Sequence, residues 1–135
     1  MRLCVCVFLF AILPFQTLAD LCIGKNLSVW VSYGKNITNS AGEVPTLYVK
    51  VDVDNDIRKT ETEHTENPSW WQKFDFGFVG VDVMTINLFE VTMLETKLLV
   101  SCPEMLATEG RDIKHVVCRV GESGIVYAFF RCTEM

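Results

Sequence analysis

Apolar and polar residues alternate with a period of two through most of the chain, and each alternating run ends in turn-forming residues. Leu27, Val29 and Val31 alternate with Ser28, Trp30 and Ser32, and Gly34 stops the run. After a loop of small and polar residues over 35–45, Val49, Val51 and Val53 alternate with Lys50, Asp52 and Asp54. Period two sends successive side chains to opposite faces, so each run predicts a strand with one buried face. Asp54-Asn55-Asp56 is turn chemistry, and residues 59–65 are expected to return beside the second strand as a hairpin. Beyond Asn67-Pro68, Trp70, Phe74 and Phe76 fall on one face of a further strand, which turns Trp71 outward. Met84, Ile86 and Leu88 alternate with Thr85, Asn87 and Phe89, and 98–101 is short and apolar. Residues 115–120 and 125–132 read as two closing strands around Gly121-Glu122-Ser123-Gly124. About eight short strands with few helical signals predict an all-β, antiparallel sandwich. Only 103–109 has room for a helical turn. The predicted core contains Trp70, Phe74, Phe76, Val49, Val51, Ile86 and Leu88.

The start of the chain follows another pattern. Arg2 precedes an apolar run over 3–13, and Thr17-Leu18-Ala19 supplies small residues where a signal peptidase cuts. This predicts a secretory signal peptide over 1–19 and a secreted product; Pro14 and Gln16 interrupt the run too early for a membrane anchor. Residues 20–135 are then one domain, long enough for a core of its own. The full chain has a net charge of −5, one unit more negative without Arg2, and no basic run with interleaved aromatics. That balance argues against nucleic acid as a partner. Cys4 and Cys6 leave with the signal. Cys22, Cys102, Cys118 and Cys132 remain, and an even number in an oxidising compartment implies two disulfides, with three pairings open. Asn26-Leu27-Ser28 and Asn36-Ile37-Thr38 are glycosylation sequons, whereas Pro68 disqualifies Asn67.

Catalytic patterns are weak. His64 stands among Glu61, Glu63 and Glu66, where a solvated, salt-bridged strand face accounts for it, and His115 follows Lys114 at a strand start. Nothing brings these groups to one phosphate, and neither a nucleophile-elbow, a zinc-protease nor a phosphate-loop motif is present. The expected protein is not an enzyme. Asp52-x-Asp54-x-Asp56 mimics the start of an EF-hand loop, but Ile57 stands where that loop needs glycine. Alternating strand-end carboxylates and a turn explain it better.

Tyr48-Val49-Lys50-Val51, then Lys59-Thr60, then Asn67-Pro68-Ser69-Trp70 with Phe74-Asp75-Phe76, resemble the middle strands of a C2 domain. Leu27, Val29 and Val31 followed by Gly34-Lys35-Asn36-Ile37 look like its opening strand and the approach to its first apical loop. Leu98-Leu99-Val100-Ser101-Cys102, Cys118, Gly124-Ile125-Val126-Tyr127 and Cys132 resemble the C-terminal C2 domain of perforin. The resemblance covers nearly all of 20–135 and leaves no room for perforin's pore-forming domain. It implies an eight-stranded Greek-key C2 sandwich, with Cys102 joined to Cys118 and, with it, Cys22 to Cys132.

The same resemblance sets expectations for calcium, a hard cation that takes six to eight oxygens, several of them anionic. Family positions for aspartate in the first and third loops fall here on Thr46, Glu90 and Thr92, and the acidic positions before the leucine pair fall on Thr96 and Lys97. The calcium site is therefore expected to be degenerate, with Glu43, Glu90 and Glu95 as weak candidates and no cofactor required. Trp71 beside the second loop and Met93 and Leu94 at the tip of the third are the candidate contact residues. The implied function is a secreted, monomeric, non-catalytic module that binds a membrane lipid surface, in host defence by analogy with perforin. The alternative is a soluble module for an extracellular protein that has lost lipid and calcium binding.

Overall fold

Among the described residues, nine antiparallel strands form two sheets packed face to face. In one, β1 (Asn26–Lys35), β5 (Ser69–Phe78), β8 (Lys114–Val120) and β9 (Gly124–Thr133) lie in the order β5-β1-β9-β8. In the other, β2 (Thr46–Val53), β3 (Asp56–Lys59), β6 (Val83–Val91) and β7 (Thr96–Met105) lie in the order β3-β2-β6-β7, and β4 (Glu63–His64) also pairs with β2. The computed structural model describes residues 21–134, so the expected signal peptide at 1–19 lies outside the described residues.

The period-two pattern is what assembles the core. Val29 and Val31 on one sheet face Val49, Val51, Ile86 and Leu88 on the other, and all are buried together with Phe130. Trp70 is buried and Trp71 is 62% exposed, as their alternation predicts. Val31 pairs with Gln72 and Tyr33 with Ser69, so Trp70 and Trp71 oppose Ser32 alone and form a bulge, with Trp71 at φ 49°. Phe74 and Phe76 depart from expectation. Both pack on the core but stay half-buried, because β5 is an edge strand and leaves that side of the sandwich open.

Three local expectations are corrected. The return strand expected over 59–65 is split, which gives nine strands instead of eight. At the break, Thr60 donates its N–H to the Val49 carbonyl at 2.9 Å while its Oγ1 accepts from Val49 N–H at 2.9 Å. A side chain thus stands in for one rung of the ladder, and Glu61 N–H turns away to Gln72 Oε1 at 2.7 Å. Residues 103–109 contain no helical turn; β7 runs on through Pro103 to Met105. Proline is tolerated there because β7 is an edge strand and needs no outward N–H. Nor does β1 stop at Gly34. It continues to Lys35, and Gly34 is needed for a close approach, since a Cβ there would sit 2.6 Å from Ile37 Cδ1 and 2.9 Å from Pro68 Cγ.

Two disulfides close the sandwich. Cys22 is joined to Cys132 and Cys102 to Cys118, with Cα separations of 5.6 and 6.0 Å. The second bond links β7 to β8 and so staples one edge of each sheet. The first spans 110 residues of sequence, which in the loop-entropy account stabilises by roughly 4–5 kcal/mol.

Candidate binding site at the loop end

Three connections gather at one end of the sandwich: 36–45 after β1, 65–68 before β5 and 92–95 between β6 and β7. Backbone and side-chain bonds hold the first two together. Gly34 N–H donates to the Pro68 carbonyl at 2.8 Å, Ile37 N–H to the Glu66 carbonyl at 2.9 Å, and Asn36 N–H to Asn67 Oδ1 at 3.0 Å. Asn39 ties the first loop to the end of β6, next to the third loop. Its Oδ1 accepts from the N–H groups of Ala41 (3.1 Å) and Glu43 (2.8 Å), which folds the loop around it. Its Nδ2 donates to Glu90 Oε2 at 3.0 Å.

Glu90 pairs with Leu47 across β2 and β6, an inward-facing position, and is only 6% exposed. A carboxylate this well buried needs a donor, and Asn39 supplies one. Beside this pair opens a cleft of about 570 Å³ lined by Asn39, Glu43, Thr46, His64, Glu90 and Met93, among others. The expectation for His64 is corrected here. Instead of sitting in a salt-bridged face, it lines the cleft, with Nδ1 at 2.9 Å from Thr46 Oγ1. Glu63 is engaged elsewhere, as its Oε1 accepts from Ser69 N–H at 2.9 Å.

Of the three weak calcium candidates, only Glu43 and Glu90 reach this cleft. Glu95 belongs to the turn at 92–95, which Thr92 organises with its side chain. Thr92 Oγ1 donates to the Glu95 carbonyl at 2.9 Å and accepts from Glu95 N–H at 3.0 Å, while Thr92 N–H reaches the same carbonyl at 2.8 Å. The Thr92 hydroxyl is thus occupied in closing the turn. Lys97 stands opposite Glu90 in the β6–β7 register. Among the described residues, no three His, Cys, Asp or Glu side chains come together as a metal cluster. The Asp52, Asp54 and Asp56 series lies at the β2–β3 hairpin. Asp54 and Asn55 take positive φ in its two-residue turn, Asp52 Oδ1 accepts from Asn55 N–H at 3.0 Å, and Asp56 pairs with Arg58 at 2.8 Å. The hydrogen bond from Arg58 holds the Asp56 carboxyl below its usual range.

The Thr92 turn also decides where the apolar tip points. Met93 and Leu94 are its two central residues, and both are fully exposed, at 103% and 96%. Val44 lines the cleft beside Met93 and is exposed as well. Trp71 does not join them. It lies on the outer face of the other sheet, with its ring centroid 6.1 Å from that of Tyr33. Asn36 is exposed in the first loop, and Asn26 is half-buried in β1. Sequence reasoning missed Asn39 and His64, since a lone amide in a polar loop and a histidine among glutamates carry no periodic or motif signal.

A family model of the C2 domain matches residues 25–102. Among solved structures, a C2 domain superposes with a TM-score of 0.70 at 15% identity, covering 81% of this chain and 98% of its own. A C2 domain of plant extended synaptotagmin 1 gives 0.66 at 14% identity, with coverages of 84% and 97%. Human GIVD cytosolic phospholipase A2 gives 0.69 at 15% identity; it covers 86% of this chain, which corresponds to 18% of the enzyme. No curated protein matches the chain in sequence. At these identities the superpositions speak for the fold alone.

Proposed function

Because the chain belongs to the C2 domain family, a class of modules that commonly bind membranes or proteins, we propose that it docks on lipid surfaces through its loop end without calcium. The carrying observation is the turn that presents Met93 and Leu94 to solvent with no packing of their own. Two adjacent, fully exposed apolar side chains on a hydrogen-bonded tip are suited to entering an acyl boundary, since each gains about 1.5–3 kcal/mol on leaving water. The calcium requirement is relieved because Asn39 already satisfies Glu90 and Thr92 closes the turn. A C2 module acts by binding, and this one is secreted and perforin-like in our reading; two disulfides suit an oxidising compartment. Host defence is the setting that the perforin-type resemblance suggests, by analogy.

The second reading, docking to an extracellular protein, is favoured by the exposed Asn36 sequon at the same end. A glycan there would hold the tip away from a bilayer. Co-sedimentation of glycosylated and deglycosylated protein with phosphatidylcholine vesicles, in calcium and in chelator, separates the readings. Binding by both forms in chelator supports lipid docking; failure of both in either condition leaves the protein-partner reading.

A further inference from the structure

The outer face of the four-stranded sheet carries two cross-strand rows of aromatic rings. Trp30 stacks on Phe129 with centroids 4.9 Å apart and planes 11° apart, and Tyr33 stacks on Tyr127 at 5.4 Å and 9°. Lys73 Nζ caps the first row, 5.2 Å from the Trp30 ring. Trp71 flanks the second, and Tyr127 Oη lies 2.7 Å from His115 Nδ1. Near-parallel rings on neighbouring strands spend their faces on one another, so the face presents ring edges and offers no platform for stacking a sugar or a base. Toward the loop end a third row places Lys35 beside Ile125 and Ile125 beside Arg119. Lys35 and Arg119 are both exposed, and neither is ion-paired among the described residues. On this face, then, the two cations without an ion pair among the described residues stand together at one end of the aromatic rows, on a chain whose net charge is −5.

We propose that this face is a second lipid contact, in which Lys35 and Arg119 engage anionic headgroups while Trp71, Tyr33 and Tyr127 lie at the interface. Half-exposed Trp and Tyr beside Lys or Arg suit the boundary between acyl chains and headgroups, and a cation near an anionic leaflet is attracted to it. The occupant follows from continuity and charge. The cationic row and Trp71 lie toward the loop end, so a domain docked by Met93 and Leu94 and tilted onto its four-stranded sheet brings them to the same bilayer. The inference rests on the lipid-docking reading but uses a different surface, so the two fail separately.

The test is vesicle co-sedimentation in chelator, with phosphatidylcholine alone and with added phosphatidylserine. Lys35→Gln/Arg119→Gln should lose affinity for the anionic vesicles by roughly fivefold per cation and leave binding to phosphatidylcholine unchanged. Met93→Ser/Leu94→Ser should weaken binding to both. Raising salt should weaken only the phosphatidylserine increment of the wild type. Both cations are exposed, so the double variant should fold, and its near-ultraviolet dichroism checks this. Wild-type affinity of the double variant for anionic vesicles overturns the proposal, even if the tip variant behaves as expected. So does an equal preference of the wild type for both lipids, or capture by soluble polyglutamate with no phosphatidylserine increment.

Discussion

Asn39 Nδ2 and Glu90 Oε2 meet at 3.0 Å, and this bond joins the first loop to the end of β6, next to the third loop. An uncharged amide gives this buried carboxylate its donor and ties a loop to a strand end. The rest of Asn39 folds its own loop through Ala41 and Glu43.

Asn39→Ala should therefore destabilise the domain by about 1–3 kcal/mol, since Glu90 is left without this donor. Asn39→Asp should go further, because it sets a second carboxylate against the first. Thermal melts with millimolar calcium should raise the Tm of Asn39→Asp and leave that of the wild type where it was. A wild-type Tm that climbs with calcium as steeply as the variant's would contradict the reading of this contact.

Trp70 is the large side chain that closes the core beneath the bulge. Trp70→Ala should cost about 3–5 kcal/mol in denaturant unfolding. Trp70→Phe should cost less, because the buried indole Nε1 has no hydrogen-bond partner to lose. Trp71→Ala, at an exposed position, should stay within about 0.5 kcal/mol of wild type. A reversed order of the two alanine variants would mean that the inward tryptophan is Trp71.

Cys22 and Cys132 fasten the two ends of the described chain across 110 residues. Replacing both by alanine should lower stability by roughly 4–5 kcal/mol in the loop-entropy limit. The bond between Cys102 and Cys118 spans only 16 residues, and replacing that pair should cost about 3 kcal/mol. Non-reducing peptide mapping that joined Cys22 to Cys102 would remove the basis of both numbers.

Much of this was legible in the chain. Alternation marks the inward valines, Ile86, Leu88 and Trp70 correctly, because a residue's face in a strand depends only on its parity. Parity cannot report an edge, so Phe74 and Phe76 read as fully buried when they are not. Nor does it register a hydroxyl that replaces a backbone rung, as Thr60 does, or a proline excused by an edge, as Pro103 is. The cleft was half legible. Glu90 came from a position that the resemblance marks and Glu43 from the run before Thr46, but His64 enters the cleft through a two-residue strand, and Asn39 through a loop fold that its own side chain creates.

The Ser28 hydroxyl donates to Asp75 Oδ1 at 2.6 Å, and this bond, with Lys73 nearby, holds the Asp75 carboxyl below its usual range. A depressed folded pKa means that the contribution is present above the unfolded carboxylate range and is lost as pH falls through the folded pKa. Ser28→Ala should move the Asp75 titration upward, followed by carboxyl NMR shifts, and should flatten the acid limb of the stability profile. An unchanged titration would mean that the hydrogen bond does not set it.

The central claim is calcium-free docking through an apolar tip, and one measurement bears on it most directly. Phosphatidylcholine vesicles are titrated with wild type and with Met93→Ser/Leu94→Ser, in chelator and in millimolar calcium, and the bound fraction is read by co-sedimentation. Wild-type binding should be equal in both conditions, and the variant should lose at least about tenfold, because two exposed apolar side chains that would enter the bilayer are removed. Wild-type binding that appears only with calcium, or that survives the double substitution intact, would contradict it.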